Sequence, residues 1–191
     1  MNVVYSSADL SVIDDFIPQP DKVHQKARTA KFGPYIGQDG ERYERVAEHV
    51  SGQVVDALNQ FMGYPIKLLG MGFRLNFAGE NPNHAIHSDL GWGKYALVLY
   101  LSEPAEDVSG TAFWTHIEQG TDRILPGEVE LLEAIQGDWD DVSKWRQDQF
   151  VVSKFNRASI YRSELFHSRW PFHGYGSSIE DGRLILVAFF D

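Results

Sequence analysis

The residues of this 191-residue chain best suited to chemistry are histidines, carboxylates and arginines, because cysteine is absent. That absence removes disulfides, zinc ribbons, iron–sulfur clusters and thiol nucleophiles. Any metal must be held by His and Asp or Glu, a donor set that suits iron, manganese or zinc better than copper(I). The leading candidate is His87-Ser88-Asp89. Side chains two residues apart leave an extended chain on the same side, so both can reach one ion. A third ligand from elsewhere would place two His and one carboxylate on one face of an octahedron, leaving the opposite face open, as iron(II) that activates O2 requires. The triplet alone says little, since 7 His and 27 acidic residues yield about one His-x-Asp/Glu by chance. A second, His116-Ile117-Glu118, is read as a strand end.

Context gives the first triplet its weight. His87 and Asp89 lie in a Gly-rich stretch directly before the apolar run YALVLYL, so a buried strand holds their loop in place. Further on, NRASIYRSELFHSRWPF carries a small apolar strand followed by His167. The segment GRLILVAFF begins with Arg183 and reads as a buried closing strand. An arginine at the mouth of such a strand is costly unless paired, and a dicarboxylate would pair with it in a bidentate fork.

The elements that must position these groups are mostly strands. Residues 3–16 read as short strands ending at Pro18 and Pro20, and residues 21–30 as a short helix. Residues 31–40 read as loop. Val46, Val50, Val54, Leu58 and Phe61 recur at helical spacing, with Gly63 where a C-terminal glycine belongs. Residues 66–77 read as two strands broken near Gly70, and residues 79–93 as loop. Residues 95–101, 110–116, 150–155, 158–161 and 183–190 read as strands. The acidic stretch 120–148 is expected to form one or two helices over the sheet. Strands separated by turn signals indicate an all-β core. The expectation is a single domain over 1–191, with a core at about 64–191, helical support at about 20–62 and an insertion at about 117–149.

A formal charge of −10 argues against nucleic acid as partner. The start MNVVYSSADLSVIDDF lacks a basic segment followed by an apolar run, and no apolar run is long enough to cross a membrane, so the cytoplasm is the expected compartment.

The order of motifs resembles that of the iron(II)/2-oxoglutarate-dependent dioxygenases, and the prolyl-4-hydroxylase-like branch in particular. HSDLGWGKYALVLYLSEPAEDVSGTAFWTH resembles that branch's first metal motif with its following strands. KFNRASIYRSELFHSRW resembles its distal-His strand and GRLILVAFFD its closing strand, so the resemblance spans residues 72–191. Before that, only VIDDFIPQP followed by a helix is similar. The resemblance implies a mostly β fold, a double-stranded β-helix (a cupin-like jelly roll) with N-terminal helices packed on one sheet. It implies iron(II), 2-oxoglutarate as co-substrate and O2. It implies His87, Asp89 and His167 as catalytic metal ligands, Arg183 as the partner of the far carboxylate of 2-oxoglutarate, and Tyr100 as a hydroxyl that helps hold it. Related halogenases replace the carboxylate ligand with a small residue; Asp89 is retained, which implies hydroxylation, demethylation or desaturation. The chain departs from the branch in three places. Arg183 follows His167 by 16 residues, more than the branch usually shows. Phe77 stands where a second tyrosine often contributes a hydroxyl, and residues 117–149 read as inserted.

Substrate contacts are expected from Arg74 and Asn76, on a strand that should run along the pocket, and from Trp92 and Trp170, which flank the metal motifs with Phe172. Arg162 and Arg169 flank His167 as charges behind the ligands or at the surface. His84, three residues before His87, would not share a face with Asp89 and reads as loop, as does His173. The expected substrate is a peptide, a protein side chain or an amino-acid-like small molecule. Two other readings stay open: a cupin-type metal-binding jelly roll without 2-oxoglutarate chemistry (an isomerase or small-molecule binder), and a retired oxygenase fold serving as an interaction module. The insertion reads as a lid or a dimer contact, and the oligomeric state stays open.

Overall fold

The computed structural model describes residues 1–37, 40–80, 85–103 and 109–191. In chain order its elements are β1 (Asn2–Ser6), β2 (Leu10–Asp14), α1 (Pro20–Arg28), β3 (Gly33–Ile36), β4 (Arg42–Glu48), α2 (Gly52–Met62), β5 (Leu68–Asn76), β6 (Tyr95–Tyr100), β7 (Gly110–His116), α3 (Val129–Ile135), β8 (Trp145–Val152), β9 (Ala158–Arg162), β10 (His167–Trp170) and β11 (Arg183–Phe190). The large sheet has the order β1-β2-β9-β6-β11-β5-β4-β3, and the small sheet the order β10-β7-β8. Every pairing between these strands is antiparallel. The fold is mostly β, as the strand-and-turn pattern predicts.

Two-residue alternation along β11 sorts the side chains into layers. Leu184, Leu186, Ala188 and Phe190 point to one face, together with Phe73 and Leu75 of β5 and Leu97 and Leu99 of β6. That face receives Val23 and Ala27 of α1 and Val54, Ala57 and Leu58 of α2, which forms the main core. Each fully buried Leu or Phe here is worth about 1.5–3 kcal/mol of burial. The opposite face carries Ile185, Ala96, Val98, Tyr100 and Tyr161, and meets Phe113 and Val151 from the small sheet. The two sheets therefore pack face to face. On the outer side of the small sheet, Ala112 and Trp114 are covered by Ile124, Ile135, Trp139, Trp145 and Phe166. Residues 117–144 thus supply the cover of that sheet.

Several local expectations are corrected. The helical spacing that includes Val46 and Val50 is misleading: residues 42–48 form β4, which pairs Val46 with Arg74, and α2 starts only at Gly52. Gly63 does end that helix, at φ 76. Residues 33–36, expected as loop, pair with β4 as β3. The expected break near Gly70 is only a register shift: β5 is one strand beside β11, with Leu69 skipped between the Phe189–Gly70 and Phe190–Leu68 pairs. Gly72, not Gly70, is the tight spot: a Cβ there would lie 3.0 Å from the Ala47 carbonyl oxygen. Residues 145–148, expected within the helical stretch, instead begin β8 ahead of the strand expected from 150, because Trp145 and Val151 bury their side chains while the backbone pairs with β7. Of the stretch 120–148, α3 and a 3-10 turn at Val142–Lys144 are helical.

Candidate metal centre

Backbone hydrogen bonds bring the proposed ligands together. The His87 N–H donates to the His167 carbonyl at 3.0 Å, and the His167 N–H returns a bond to the His87 carbonyl at 2.8 Å. The loop before β6 is thus stitched to the start of β10. The Asp89 N–H donates to the Ser163 carbonyl at 2.9 Å, and the Trp92 N–H closes a turn on the Asp89 carbonyl at 3.1 Å. From the other side, the Ile86 N–H is held by the Trp139 carbonyl at 3.1 Å and the Ala85 N–H by the Asp140 carboxylate at 2.8 Å. As a result, one ligand atom each from His87, Asp89 and His167 lie within 4.8 Å of one another. His167 Nε2 is 3.2 Å from Asp89 Oδ2, and His87 Nε2 is 4.0 Å from Asp89 Oδ1.

The protonation states suit a cation. Burial, reinforced by the His167 charge, lowers His87 to about 4, so its ring is neutral at pH 7. Burial alone would raise Asp89, but the His167 charge and hydrogen bond prevail and bring it down to about 2. His167 Nδ1 is 3.0 Å from the Leu165 carbonyl, which can only accept. An Nδ1 proton is therefore held toward Leu165, and Nε2 is the ring atom turned to Asp89. Sequence reasoning missed one member of this cluster. The Tyr161 hydroxyl donates to Asp89 Oδ2 at 3.3 Å and sits 3.1 Å from His167 Nε2. Burial, then the Asp89 charge, holds the Tyr161 phenol well above its usual range, so it stays protonated. Alternation along β9 could have placed Tyr161 inside the fold, but no spacing rule ties it to His87.

The cluster opens into a cavity of about 660 Å³. Arg183 and Asn76, cross-strand neighbours, line it, as do Arg74 and Arg169. Arg183 is 4% exposed, and its Nε is buried without a hydrogen-bond partner. The Tyr100 ring centroid lies 5.9 Å from its guanidinium carbon. The Tyr100 hydroxyl is already bonded to Thr111 Oγ1 at 2.7 Å, and Thr111, not Tyr100, borders the cavity. Asn76 Nδ2 donates to Glu80 Oε2 at 3.1 Å.

Other expected residues fall elsewhere. Trp170 turns to the outer side of the small sheet, beside Trp114 and Phe172, because alternation from His167 sends it away from the cavity. Trp92 does not border the cavity but stacks on Phe189, which does, at 5.1 Å. His116 is fully buried, with Nε2 3.0 Å from Asp138 Oδ2, and so ties the 117–144 cover to β7; Glu118 is exposed. Arg162 pairs with Glu164 at 2.8 Å, and His173 is exposed. His84 lies outside the described residues.

No family model matches the chain, and no curated protein matches it in sequence. Solved structures do match in fold. SnoN, the non-haem alpha-ketoglutarate (2-oxoglutarate)-dependent epimerase from nogalamycin biosynthesis, matches with a TM-score of 0.58 at 13% identity, over 96% of this chain and 78% of its own. A further SnoN structure holds Fe3+, alpha-ketoglutarate and nogalamycin RO. AviO1 from Streptomyces viridochromogenes Tue57 matches with a TM-score of 0.58 at 11% identity, over 95% of this chain and 89% of its own. A Pseudomonas putida prolyl-4-hydroxylase matches with a TM-score of 0.50 at 13% identity, over 95% of this chain and 91% of its own. The prolyl-hydroxylase branch is therefore not singled out by the fold. The chain shares its fold with the non-haem, 2-oxoglutarate-dependent enzymes.

Proposed function

We propose that this protein is an iron(II)- and 2-oxoglutarate-dependent oxygenase built on a double-stranded β-helix, and that it hydroxylates a C–H bond of a peptide or amino-acid-like substrate. The observation that carries this reading is Arg183. The three-residue cluster alone would serve a cupin-type metal site equally well. A guanidinium buried in the same cavity, with no anion beside it among the described residues, calls for an anionic ligand. 2-Oxoglutarate supplies one carboxylate for that guanidinium and a keto acid for the metal.

His87, Asp89 and His167 would hold iron(II), which when bound supplies the oxidising chemistry with O2 and the co-substrate. The protein's part is placement. His167 is fixed as an Nε2 donor by its Nδ1 contact to Leu165. Tyr161 stays protonated and steadies the Asp89 carboxylate through a donated hydrogen bond. Arg183 anchors the far carboxylate, with Tyr100 and Thr111 as a hydroxyl pair at its side. Ile185, Val187 and Phe189 give the cavity floor an apolar surface that limits water.

The test is an anaerobic titration of the apo-protein with iron(II) and 2-oxoglutarate, following the weak visible charge-transfer band of the chelate. The band is expected to form, to vanish in His87→Ala, and to require far more 2-oxoglutarate in Arg183→Ala. Iron binding without a band would replace this reading with the cupin-type one.

A further inference from the structure

Among the described residues, two guanidinium groups in the cavity have no anion beside them, and 2-oxoglutarate accounts for one. The cavity is lined by Arg42, Arg74, Arg169 and Arg183. Arg42 donates to Glu44 at 2.8 Å. Arg169 approaches Glu80 Oε2 at 3.6 Å and donates to the Phe172 carbonyl at 2.8 Å. Glu80 is fully engaged: it also accepts from Arg45, from the Phe77 N–H at 3.0 Å and from Asn76. Glu41, at the same rim, has a contact of its own. Asp89 belongs to the metal cluster, and Arg183 is assigned to the co-substrate.

Arg74 remains. It sits on β5 between Val46 of β4 and Ile185 of β11, half-buried, on the cavity side of the large sheet. Among the described residues no carboxylate lies within ion-pair distance of it. Its guanidinium carbon lies 4.2 Å from the centroid of the Tyr43 ring. Stacking on an aromatic face leaves the in-plane N–H donors of a guanidinium available. The group is near enough to the metal cluster for its charge to act on His87 and Asp89. One part of the wall is apolar: Ile124, Leu132 and Trp139 from the 117–149 segment border the same cavity. One available guanidinium matches one planar carboxylate in a two-point contact, whereas a phosphate would leave oxygens without donors.

We propose that the molecule oxidised in this cavity is a small carboxylate with an apolar body, its carboxylate held by Arg74 and its body laid against Ile124, Leu132 and Trp139. The assignment of this molecule as the oxidised substrate rests on the oxygenase reading; the carboxylate site itself does not.

The experiment uses matched probes, N-acetyl-L-phenylalanine and N-acetyl-L-leucine, each against its own C-terminal amide. Binding to the anaerobic iron(II)- and 2-oxoglutarate-loaded protein is measured by calorimetry and by tryptophan fluorescence, to which Trp139 contributes from the cavity wall. At least one acid is expected to bind, with its amide roughly ten-fold or more weaker. Arg74→Ala should erase that preference, Arg74→Lys should restore part of it, and the 2-oxoglutarate midpoint of the visible band should stay put in both. Arg74→Gln carries the same comparison should the alanine variant not fold. Equal binding of acids and amides, no binding by either acid, or a preference that survives Arg74→Ala would overturn the site. So would a 2-oxoglutarate midpoint that moves with Arg74→Ala while iron still binds, which would assign Arg74 to the co-substrate. Failure of the oxygenase reading looks different: no visible band in the unsubstituted protein. Calorimetry on the metal-loaded protein then still decides the carboxylate site.

Discussion

Neighbouring residues on β11 live under opposite rules. Leu184, Leu186, Ala188 and Phe190 are fully buried against the helices. Arg183 and Ile185 are also buried but face the cavity, and the Arg183 Nε has no hydrogen-bond partner among the described residues. One face of the strand holds the fold together; the other lines the cavity with Arg183 among its residues. The same backbone supports both, because a strand changes face at every residue. A site built on such a strand inherits the rigidity of the core behind it.

The sharpest way to break this comparison is to substitute one residue from each side. Leu186→Ala should lower unfolding free energy by about 2–5 kcal/mol, since it leaves a cavity between sheet and helices. The folded fraction should still bind iron at the same stoichiometry. Asp89→Ala should do the reverse. Turnover of 2-oxoglutarate should fall at least about a hundred-fold, more than loss of a supporting contact behind a ligand costs, while the denaturant midpoint stays level or rises. Denaturant melts and metal analysis on both variants read the two effects separately. If Asp89→Ala unfolds the protein as readily as Leu186→Ala, the division between the faces is wrong.

A second substitution tests whether Arg183 is held at a cost. An apolar side chain of similar length removes a buried charge without a partner, so Arg183→Met should stabilise the ligand-free protein by about 1–4 kcal/mol. Added 2-oxoglutarate should raise the melting temperature of the unsubstituted metal-loaded protein and leave the variant unmoved. A less stable apo Arg183→Met would mean that the guanidinium already has its partner within the protein.

The same contrast explains what the sequence makes legible. His87, Asp89 and His167 are readable because two of them share a triplet and the third stands between two strands, and the structure brings all three together. Arg183 is readable because an arginine heading an otherwise apolar strand conflicts with its surroundings. Tyr161 is not: in sequence it is an aromatic in a β-strand, and its role exists only through the β9–β6 pairing and the turn that carries Asp89. Trp170 is misread for a related reason, since proximity in sequence to His167 does not override the change of face at each residue. Helical spacing starts the helix too early because Val46 and Val50 match it by coincidence, while pairing with β5 decides the state of residues 42–48. Tertiary pairing outweighs local propensity in such short segments.

Asp14 sharpens the comparison from the other end, as a buried charge whose partners are built in. It is 6% exposed and accepts from Arg157 Nε at 2.6 Å and Lys154 Nζ at 2.8 Å. The Arg157 hydrogen bond leads in lowering its carboxyl to about 2, against the opposing effect of burial. A depressed carboxyl stabilises the fold above its unfolded value, near 3.8, and that contribution is lost as pH falls toward 2. Asp14→Asn should therefore cost on the order of 1 kcal/mol at pH 7, a modest figure because Lys154 is half-exposed and screened. The gap between the two proteins should narrow below pH 4 and close near pH 2, followed by urea melts across that range. Arg183→Met should show no such narrowing, because an arginine keeps its charge throughout. A pH-independent gap for Asp14→Asn would place Asp14 with the packing residues, and the contrast between a charge with built-in partners and one awaiting a ligand would then rest on Arg183 alone.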